Sequence, residues 1–495
     1  MAGEALLGVD LGTSGVKAVV VDLRADVLGE ADAVYPVRSP RAGWAETDPA
    51  DWWTATVAAV RRALAAAGRP RVAAVGVDGQ MHGLVLARAD AVPVRPALLW
   101  ADRRAEAELE AWRALPAAER QALANPLVPG MTGPLLAWTA RHESSALAEA
   151  RWALLPKDWL RLRLTGEAVT EPSDASATLL WDVPADTWSA PALRAAGIPA
   201  ELLPPVAASD QAAGCLTAAA AAELGLPPGL PVAAGAGDTP AALLAAGTAG
   251  EEAAQLTVGS GAQIVTAAAE PTAAPGVHVY RTAERTGWYR MAAVQNAGVA
   301  LEWVRTLLGA TWEEVYAAAG EGEADSGGVV FLPHLTGERA PELGRCGALA
   351  GLRLDTGRAE VLRAAVEGVA FTIRHAAALL PDGLPPVVRL AGGGSRDPRF
   401  RALLADVLGV ELRPVRLRSA SALGAARLAA RAAGLPMAPP RPHRDPAVHP
   451  TRRKEIYDVK FEVYVNHLKT HQTEPPRRAA ASRHTTAPTG HSETV

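Results

Sequence analysis

Short apolar runs and alternating apolar and polar positions dominate the first part of the chain, and both patterns are typical of β-strands. Three such runs, over 5–11, 16–23 and 27–35, are separated by turns with Gly or Asp and predict three antiparallel strands. Over 48–68, apolar residues recur every three to four positions between an Asp-Pro start and a Gly stop, which predicts a helix. The continuous apolar run over 72–79 predicts a buried strand.

The second half of the chain repeats this theme. Residues 251–268 place a Gly-Ser-Gly turn between two strand-like runs. One more strand is predicted over 387–395, and helices are predicted over 296–308, 355–380, 398–409, 421–434 and 455–469. The order strand, strand, strand, helix, strand differs from the regular alternation of a Rossmann domain. We therefore predict an α/β protein of two actin-like (RNase H-like) ATPase domains with a cleft between them.

The length of 495 residues supports this division, because one hydrophobic core rarely serves so long a chain. We place the boundary near Gly247, which gives an N-terminal domain over 1–247 and a C-terminal domain over 248–470. The remaining segment, 471–495, is predicted to be a disordered tail. Its last 23 residues contain no Leu, Ile, Phe, Tyr or Trp and bury too little apolar surface to offset the entropy of ordering.

Composition and charge argue against two classes of partner. The chain is 49% hydrophobic and 21% charged with a formal net charge of −4, which does not indicate binding to nucleic acid or to a membrane. The apolar run before Asp10 is too short for a signal peptide, and no apolar stretch is long enough to span a membrane. Cys215 and Cys346 lack metal-ligand spacing and are expected to be free thiols. The predicted location is the cytoplasm.

Three glycine-rich turns are candidates for phosphate and nucleotide binding, because glycine lets backbone N–H groups approach an anion closely. Each turn alone is more typical of ordinary turn chemistry, and the three together favour a nucleotide site. Asp10, at the end of the first strand, is either a turn-capping residue or a cation ligand, since a carboxylate beside a phosphate needs a cation between them. The turns comprise Gly12, Thr13, Ser14 and Gly15 with Lys17 nearby, then Gly259, Ser260 and Gly261, then Gly392, Gly393, Gly394 and Ser395.

Nine short segments follow one another in order between about residue 5 and about residue 434. They are GVDLGTSGVK (8–17), GVDGQMHGLVL (76–86), LLWADRRAEAE (98–108), LLPKDWLRLRLTGE (154–167), SDASATLLWDV (173–183), VAAGAGDTPAA (232–242), FLPHLTGERAP (331–341), LAGGGSRDPRFRALLADVLG (390–409) and SALGAARLA (421–429). This collinear set resembles the motifs of the FGGY carbohydrate kinases, and within them it is most similar to the xylulokinases.

The resemblance implies ATP-dependent phosphorylation of a sugar between two actin-like domains, with D-xylulose giving D-xylulose 5-phosphate. ATP and Mg²⁺ are the implied cofactors, and a homodimer is the implied assembly. The N-terminal domain would hold the sugar, the catalytic aspartate and the first phosphate loop, with Asp10 near the magnesium, and the C-terminal domain would bind the nucleotide. The catalytic base maps to Asp238, and the sugar-binding residues map to Gln80, Met81, His82, Trp100, Asp102 and Arg104.

Taken without the resemblance, these residue types have other interpretations. An aspartate before Thr-Pro, as at Asp238, is often a helix N-cap. A lone histidine after a buried strand, as at His82, is often a hydrogen-bonded core residue. Trp100 is compatible with general core filling in a chain with 13 tryptophans and four phenylalanines. Arg104 is compatible with a solvated helix charge.

Two segments depart from the family pattern and leave the preferred sugar open. The family's GGGDN reads GAGDT here, with Ala236 and Thr239 substituted, and the second phosphate loop reads TVGSGAQ. Kinases of the same fold for ribulose, a hexulose, glycerol or gluconate therefore stay alternatives. Two further alternatives are a non-enzymatic actin-like ATPase and a sugar-sensing regulator. The first would need a substrate-binding region beyond the ATPase, and the second would need a DNA-binding segment, which the sequence before residue 5 does not contain.

Overall fold

The computed structural model describes residues 4–247, 254–320, 325–338 and 346–471. The predicted tail therefore lies, apart from His471, outside the described residues. The strands of the first half are β1 (Ala5–Leu11), β2 (Gly15–Asp22), β3 (Val27–Val34), β4 (Glu46–Thr47), β5 (Val72–Gly79), β6 (Val85–Ala87), β7 (Ala97–Leu98), β8 (Trp152–Leu154), β9 (Trp181–Asp182), β10 (Thr187–Trp188), β11 (Ala212–Cys215), β12 (Pro231–Ala233) and β13 (Ala236–Gly237). Its helices are α1 (Pro49–Ala66), α2 (Leu109–Arg113), α3 (Ala117–Ala122), α4 (Thr132–His142), α5 (Ser144–Glu149), α6 (Pro156–Thr165), α7 (Pro172–Ala175), α8 (Ala190–Ala196), α9 (Ala218–Leu224) and α10 (Asp238–Ala246).

The first sheet is built around β1, which pairs with β2 antiparallel and with β5 parallel. Its strands run in the order β11-β12-β5-β1-β2-β3, and β13 pairs with the end of β5. Helix α1 covers one face with a buried stripe that includes Trp52, Ala59 and Val60. Asp48 caps that helix by accepting a hydrogen bond from the backbone of Ala50, and Pro49 takes the first helical position, as the sequence predicts.

A smaller cluster of helices fills the connection between β5 and β12. It is built on α2, α4 and α8 and buries its own apolar core, with Trp112, Met131 and Leu135 fully enclosed. Trp112 also donates its indole N–H to the backbone oxygen of Leu179 at 2.8 Å, so its polar atom is satisfied inside the core. This insertion supplies the side chains that face the ends of β1 and β5.

The second half has a sheet of the same central order. Its strands are β14 (Ala254–Val258), β15 (Ala262–Ala268), β16 (His278–Arg281), β17 (Trp288–Val294), β18 (Val330–Leu332), β19 (Ala348–Ala350), β20 (Val387–Ala391), β21 (Glu411–Arg416) and β22 (His443–Arg444). Its helices are α11 (Gly298–Leu307), α12 (Trp312–Ala317), α13 (Arg358–Ala377), α14 (Pro398–Leu408), α15 (Ala420–Ala432) and α16 (Lys454–His471). The sheet order is β16-β17-β15-β14-β20-β21-β22, in which β14 pairs with β15 antiparallel and with β20 parallel. The predicted duplication is therefore visible in the strand pairing.

Helix α15 crosses back to the first half and packs on its sheet. A Cβ atom on Gly8 or on Gly76 would lie 1.9 Å from a backbone oxygen of this helix, so only glycine lets the helix and the strands approach so closely. Gly424 of α15 makes the same kind of contact with α10, where a Cβ would lie 2.0 Å from the oxygen of Ala241. A division of the chain at Gly247 separates the two sheets, and the apolar face of α15 packs across that division into the core of the first sheet.

None of the helices in the described ranges is both long enough and apolar enough to cross a membrane. The described parts of the chain thus carry no membrane-spanning helix.

The contact between α15 and the first sheet yields a stability prediction. Gly76→Ala should lower the free energy of unfolding by about 2 kcal/mol or more, because the new methyl group meets the backbone oxygen of Ala425 and no flexible side chain can move aside. Chemical denaturation measures this loss. Gly393→Ala is the control, since a Cβ there has nothing within 4 Å, and a comparable loss in both variants would contradict the packing argument.

Candidate active site

Three carboxylates meet where parallel strands of the first sheet end. Asp10 of β1 lies opposite Asp78 of β5 in the strand register. Asp78 in turn lies opposite Ala236 of β13, and Asp238 follows two residues later at the start of α10. In open α/β sheets, ligands bind at the carboxyl ends of the strands. The sequence predicts Asp10 and Asp238 at this edge but does not single out Asp78, whose place depends on the pairing of β5 with both neighbours.

Burial and mutual repulsion change the protonation of these groups. Burial, with the charge of Asp238 added, raises the pKa of Asp10 to about 7, although Lys17 on the adjacent strand acts in the opposite direction. Burial and the two neighbouring carboxylates raise the pKa of Asp78 well above its ordinary value. Asp78 is fully buried, and burial and repulsion both favour its protonated form. Both effects act to reduce the negative charge at this edge of the sheet.

The residues at this edge suit a cation that is shared with phosphates. The Oδ1 atom of Asp10 is buried without a hydrogen-bond partner, which a bound cation would satisfy. Within the described ranges, no three His, Cys, Asp or Glu side chains are grouped closely enough to hold a metal ion by themselves. Mg²⁺ in kinases is usually held by one or two carboxylates together with substrate phosphates, so Asp10 fits that role.

The first glycine loop is a tight hairpin turn that neighbouring side chains hold in place. The Gly12 N–H donates to the oxygen of Gly15 at 3.0 Å. The Gly12 oxygen accepts from Gln80 Nε2 at 3.3 Å and also from the Tyr35 hydroxyl. Thr13 Oγ1 accepts from Trp100 Nε1 at 2.9 Å. Gln80 and Trp100, predicted as sugar-binding residues, therefore also support the phosphate loop, and Tyr35 is a supporting residue that the sequence gives no reason to select.

Ser14 of this loop and the nearby Lys17 are polar residues that could contact an anion. Lys17 lies opposite Asp10 in the pairing of β1 with β2, and its side chain is half-buried. Ser14 is exposed, and its backbone oxygen accepts a hydrogen bond from Tyr35 N at 3.2 Å. The charge of Lys17 and the hydroxyl of Ser14 are thus both located beside the turn, where an anion would meet them.

Met81 and His82 follow β5 and contact the second half of the molecule. The Tyr289 hydroxyl lies 3.8 Å from Met81 Sδ, and the His82 and Tyr280 rings are 6.1 Å apart. His82 Nδ1 donates to the oxygen of Ala177 at 2.6 Å, which sets the orientation of the ring. His82 also has a φ of 65°, a left-handed backbone conformation that is uncommon for residues other than glycine and is found at functional sites. Both predicted sugar residues thus lie where the two halves meet.

Asp102 and Arg104 form a buried ion pair. Both side chains are buried, and Asp102 accepts four hydrogen bonds, one from Ala45 N at 2.7 Å and three from Arg104. Arg104 also pairs with Glu46 at 2.7 Å and stacks on Trp44 at 3.6 Å, so it is not the solvated charge that its residue type allows. The pair therefore supports the segment that carries Trp100, and its contact with the sugar stays a prediction.

Asp238 is the first residue of α10 and is half-buried at the strand edge. The N-cap of this helix is Gly237, so the N-cap interpretation does not describe Asp238. Its Oδ1 accepts a hydrogen bond from the neighbouring Thr239 N at 2.6 Å, which directs the carboxylate along the start of the helix. Gly237 also makes room for the sugar segment, because a Cβ there would lie 2.6 Å from Met81 Cγ. Met81 therefore packs against the residue immediately before the candidate base.

The second and third glycine turns line one cavity of about 410 Å³ in the second half. This volume is within the usual range for small-molecule sites, about 300 to 1,000 Å³. Trp312 and Tyr316, whose rings stack at 5.5 Å, also line it, and nothing in the sequence distinguishes them. The lining residues are Val258, Gly259, Ser260, Gly298, Val299, Leu301, Glu302, Trp312, Tyr316, Val369, Gly393, Gly394 and Phe400.

The other predicted residues of these two turns support the backbone around the cavity. A Cβ on Gly261 would lie 2.5 Å from the oxygen of Val294, and one on Gly392 would lie 2.2 Å from that of Val258. Ser395 is buried, and its hydroxyl is occupied by hydrogen bonds to the oxygens of Ala391 and Gly392. The hydroxyl of Ser395 therefore closes the turn, and a contact of this residue with the nucleotide stays a prediction.

Comparison with known proteins gives the family. Residues 5–245 match the N-terminal domain of the FGGY family of carbohydrate kinases, and residues 254–433 match its C-terminal domain. The chain belongs to this family. It is 34% identical to the xylulose kinase of Klebsiella pneumoniae over 438 residues, which make up 86% of this chain and 89% of that protein.

Solved structures agree with this assignment. The crystal structure of a xyloylose kinase from Brucella ovis is 34% identical, has a TM-score of 0.87, and covers 94% of this chain and 99% of its own. The crystal structure of gluconate kinase from Lactobacillus acidophilus has a TM-score of 0.88 and covers 95% of this chain and 98% of its own. Its sequence is 24% identical to this chain, so the match supports the fold alone. The predicted two-domain α/β fold is confirmed as that of a sugar kinase. As a member of the FGGY family, the protein is a phosphotransferase that uses ATP.

The raised pKa of Asp10 predicts a pH effect on stability. Between about pH 4 and pH 7 the folded kinase keeps a proton on Asp10 that the unfolded chain has lost, so this group makes stability fall as pH rises through that window. Asparagine cannot ionise. Asp10→Asn should therefore raise the melting temperature, measured without nucleotide or divalent cation, and the gain should be larger at pH 8 than at pH 5.5.

Asp22 provides a control of opposite sign for this experiment. Although slight burial acts to raise it, the pKa of Asp22 is lowered by hydrogen bonds from Asp26 and Arg24. Such a group contributes stability above its unfolded pKa, so Asp22→Asn should lower the melting temperature at pH 8. An Asp10→Asn variant that behaves like Asp22→Asn would contradict the electrostatic account of the site.

The cavity yields a separate prediction. Gly393→Val should raise the Michaelis constant for ATP about tenfold or more, because its side chain would extend into open space beside the nucleotide turns. Steady-state kinetics with ATP and with the sugar as the varied substrate measure the effect. The constant for the sugar should change little, and equal changes for both substrates would point away from a nucleotide site in this cavity.

Proposed function

We propose that this FGGY kinase phosphorylates D-xylulose at the expense of ATP and that Asp238 is its catalytic base. The observation that carries the proposal is the position of Asp238, which is half-buried at the strand edge, follows the glycine that contacts Met81 and lies close enough to Asp10 for the two carboxyl groups to repel each other. The similarity to xylulose kinases over most of the chain supports the choice of sugar.

In the proposed reaction, Asp238 accepts the proton of a sugar hydroxyl as the hydroxyl oxygen attacks the γ-phosphorus of ATP. The bond between that phosphorus and the bridging oxygen breaks, and ADP leaves with the electron pair. Phosphoryl transfer depends mainly on in-line placement and on neutralisation of phosphate charge, so the base acts late in the step. Mg²⁺, when bound with the nucleotide, would neutralise part of the phosphate charge, and Asp10 is the residue that would hold it.

Each half of the molecule contributes to substrate binding in this proposal. The first glycine loop, Gly12 to Gly15, would bind phosphates through its N–H groups, with Lys17 adding positive charge. The cavity in the second half would hold the nucleoside, with Gly259, Ser260, Gly393 and Gly394 on one side and the stacked rings of α12 on the other.

The sugar would occupy the cleft between the halves. Met81 offers an apolar wall, His82 offers a ring fixed by its bond to Ala177, and Trp100 offers an aromatic face next to the phosphate loop. A site that hydrogen-bonds particular hydroxyls discriminates against sugars that present them differently, so this pocket would set the preference among ketoses. The homodimer and the cytoplasmic location stay predictions.

A panel of sugars in a coupled assay of ADP release tests the proposed substrate. D-Xylulose should give the highest kcat/KM among D-xylulose, ribulose, a hexulose, glycerol and gluconate, because of the identity to xylulose kinases. A higher value for another member would reassign the substrate without changing the reaction class.

The role of Asp238 yields the sharpest kinetic prediction. Asp238→Asn keeps the shape of the side chain but cannot accept a proton, so kcat at saturating ATP and D-xylulose should fall by about two to four orders of magnitude. The melting temperature should stay close to that of the unsubstituted enzyme. Asp182→Asn is the matched control. The carboxylate of Asp182 accepts a hydrogen bond from the backbone N–H of Ala185 in a turn, so its replacement should leave turnover normal. An Asp238→Asn variant that retains more than about a tenth of the activity would show that another group takes the proton.

A further inference from the structure

Five charged side chains are completely buried close to the peptide that precedes Asp238. They belong to α6, to α7 and to the residue that caps α7, and they include the Lys-Asp pair of the PKDW segment. Lys157 Nζ lies 2.7 Å from Asp158, 3.1 Å from Asp174 and 3.3 Å from Glu171, and Arg161 lies 3.1 Å from Asp158. Burying charges costs free energy even when they are paired, so a cluster of this size calls for a reason other than stability.

Glu171 acts as a hydrogen-bond acceptor within this cluster. Its Oε2 accepts the N–H of Ser173 at 2.7 Å, its Oε1 accepts the N–H of Asp174 at 3.0 Å, and Lys157 Nζ lies 3.3 Å from Oε1. Burial raises the pKa of Asp174 to about 8, which favours its protonated form. The side chain of Glu171 is thus held in place by donors on both of its oxygens.

Glu171 holds two serine hydroxyls in fixed orientations. Ser173 Oγ donates to Glu171 Oε1 at 2.9 Å, and Ser209 Oγ donates to Glu171 Oε2 at 2.7 Å. Since the hydroxyl proton of Ser173 points to Glu171, its oxygen is left to accept, and it accepts the N–H of Gly237 at 3.2 Å. Gly237 is the residue immediately before Asp238. A chain of hydrogen bonds thus runs from the buried cluster to the backbone that carries the proposed base.

The backbone before Gly237 is anchored to the same cluster. Arg161 Nη1 donates to the oxygen of Ala234, and the N–H of Gly235 donates to the backbone oxygen of Ser209 at 3.1 Å. Gly235 has a φ of 92°, and a Cβ there would lie 2.2 Å from the oxygen of Val77, so this turn is pressed against β5. Three of the four residues before Asp238 therefore exchange hydrogen bonds with residues around Glu171.

We propose that Ser173, oriented by Glu171 and Lys157, is a positioning residue that holds Asp238 in place through the Gly237 N–H. The inference rests on the proposed role of Asp238 as the base. Displacing a reacting group by about 1 Å can cost a hundredfold in rate, so loss of one anchor on the adjacent peptide should be visible in turnover.

Ser173→Ala tests the proposal while leaving all five charged side chains of the cluster in place. Substitution of Lys157 would leave carboxylates unpaired in the interior and could prevent folding, whereas Ser173→Ala removes one oxygen atom. The expected result is a decrease in kcat of about tenfold with an unchanged Michaelis constant for ATP, since only the base is displaced. In the Asp238→Asn background, the same substitution should cause no further decrease, because the group that it positions no longer accepts a proton.

Ser209→Ala is the matched control. It removes an equivalent hydrogen bond to Glu171 but leaves the bond between Ser173 and Gly237 intact, so it should lower the melting temperature similarly while kcat stays close to normal. Equal decreases in kcat for both serine variants, or an unchanged kcat in Ser173→Ala, would overturn the proposal. A decrease of the same factor in both backgrounds would also overturn it, while leaving Asp238 as the base. An Asp238→Asn enzyme of nearly normal activity would instead overturn the base assignment and the positioning role together.

Discussion

The active edge of the first sheet depends on collecting carboxylates where they repel one another. The parallel pairing of β1, β5 and β13 brings Asp10, Asp78 and the peptide before Asp238 side by side. Repulsion and burial then raise the pKa values of Asp10 and Asp78, which means that the folded protein spends free energy to keep these groups together. A cation shared with phosphates would reduce that repulsion, which is why carboxylates collected at this edge suit such a ligand.

Much of the fold follows from local sequence. Strands β1 and β5 begin and end where their apolar runs do, because each run is bounded by residues that continue into turns. Helix α1 begins after Asp48 because that side chain satisfies an N–H that would otherwise lack a partner. The docking of α15 on the first sheet could not be predicted in this way. It depends on Gly8 and Gly76, which are far from this helix in sequence and whose lack of a Cβ matters only once the backbone of α15 lies against them.

Some residues of the candidate site were likewise predictable from the sequence, and others were not. Asp10, Asp238 and the glycine turns were predictable because their spacing in the chain resembles that of a known family. Asp78 and Tyr35 were not, since only tertiary pairing places them against the first loop. The contacts of Asp102 and Ser395 were not predictable either. Both residues lie in motifs that match the family, but a motif does not show which of its polar atoms bond the backbone or a neighbouring side chain.

The position of Asp238 also explains why two halves are needed. The peptide before it is held by the cluster around Glu171, and the helix that it begins packs on α15 through the contact of Ala241 with Gly424. Met81, which lies against Gly237, is in turn contacted by Tyr289 of the second half. Segments of both halves therefore define the position of one carboxylate. Helix α15 and Tyr289 both belong to the half that contains the cavity lined by the second and third glycine turns. A change in the relative position of the two halves would therefore move the proposed base.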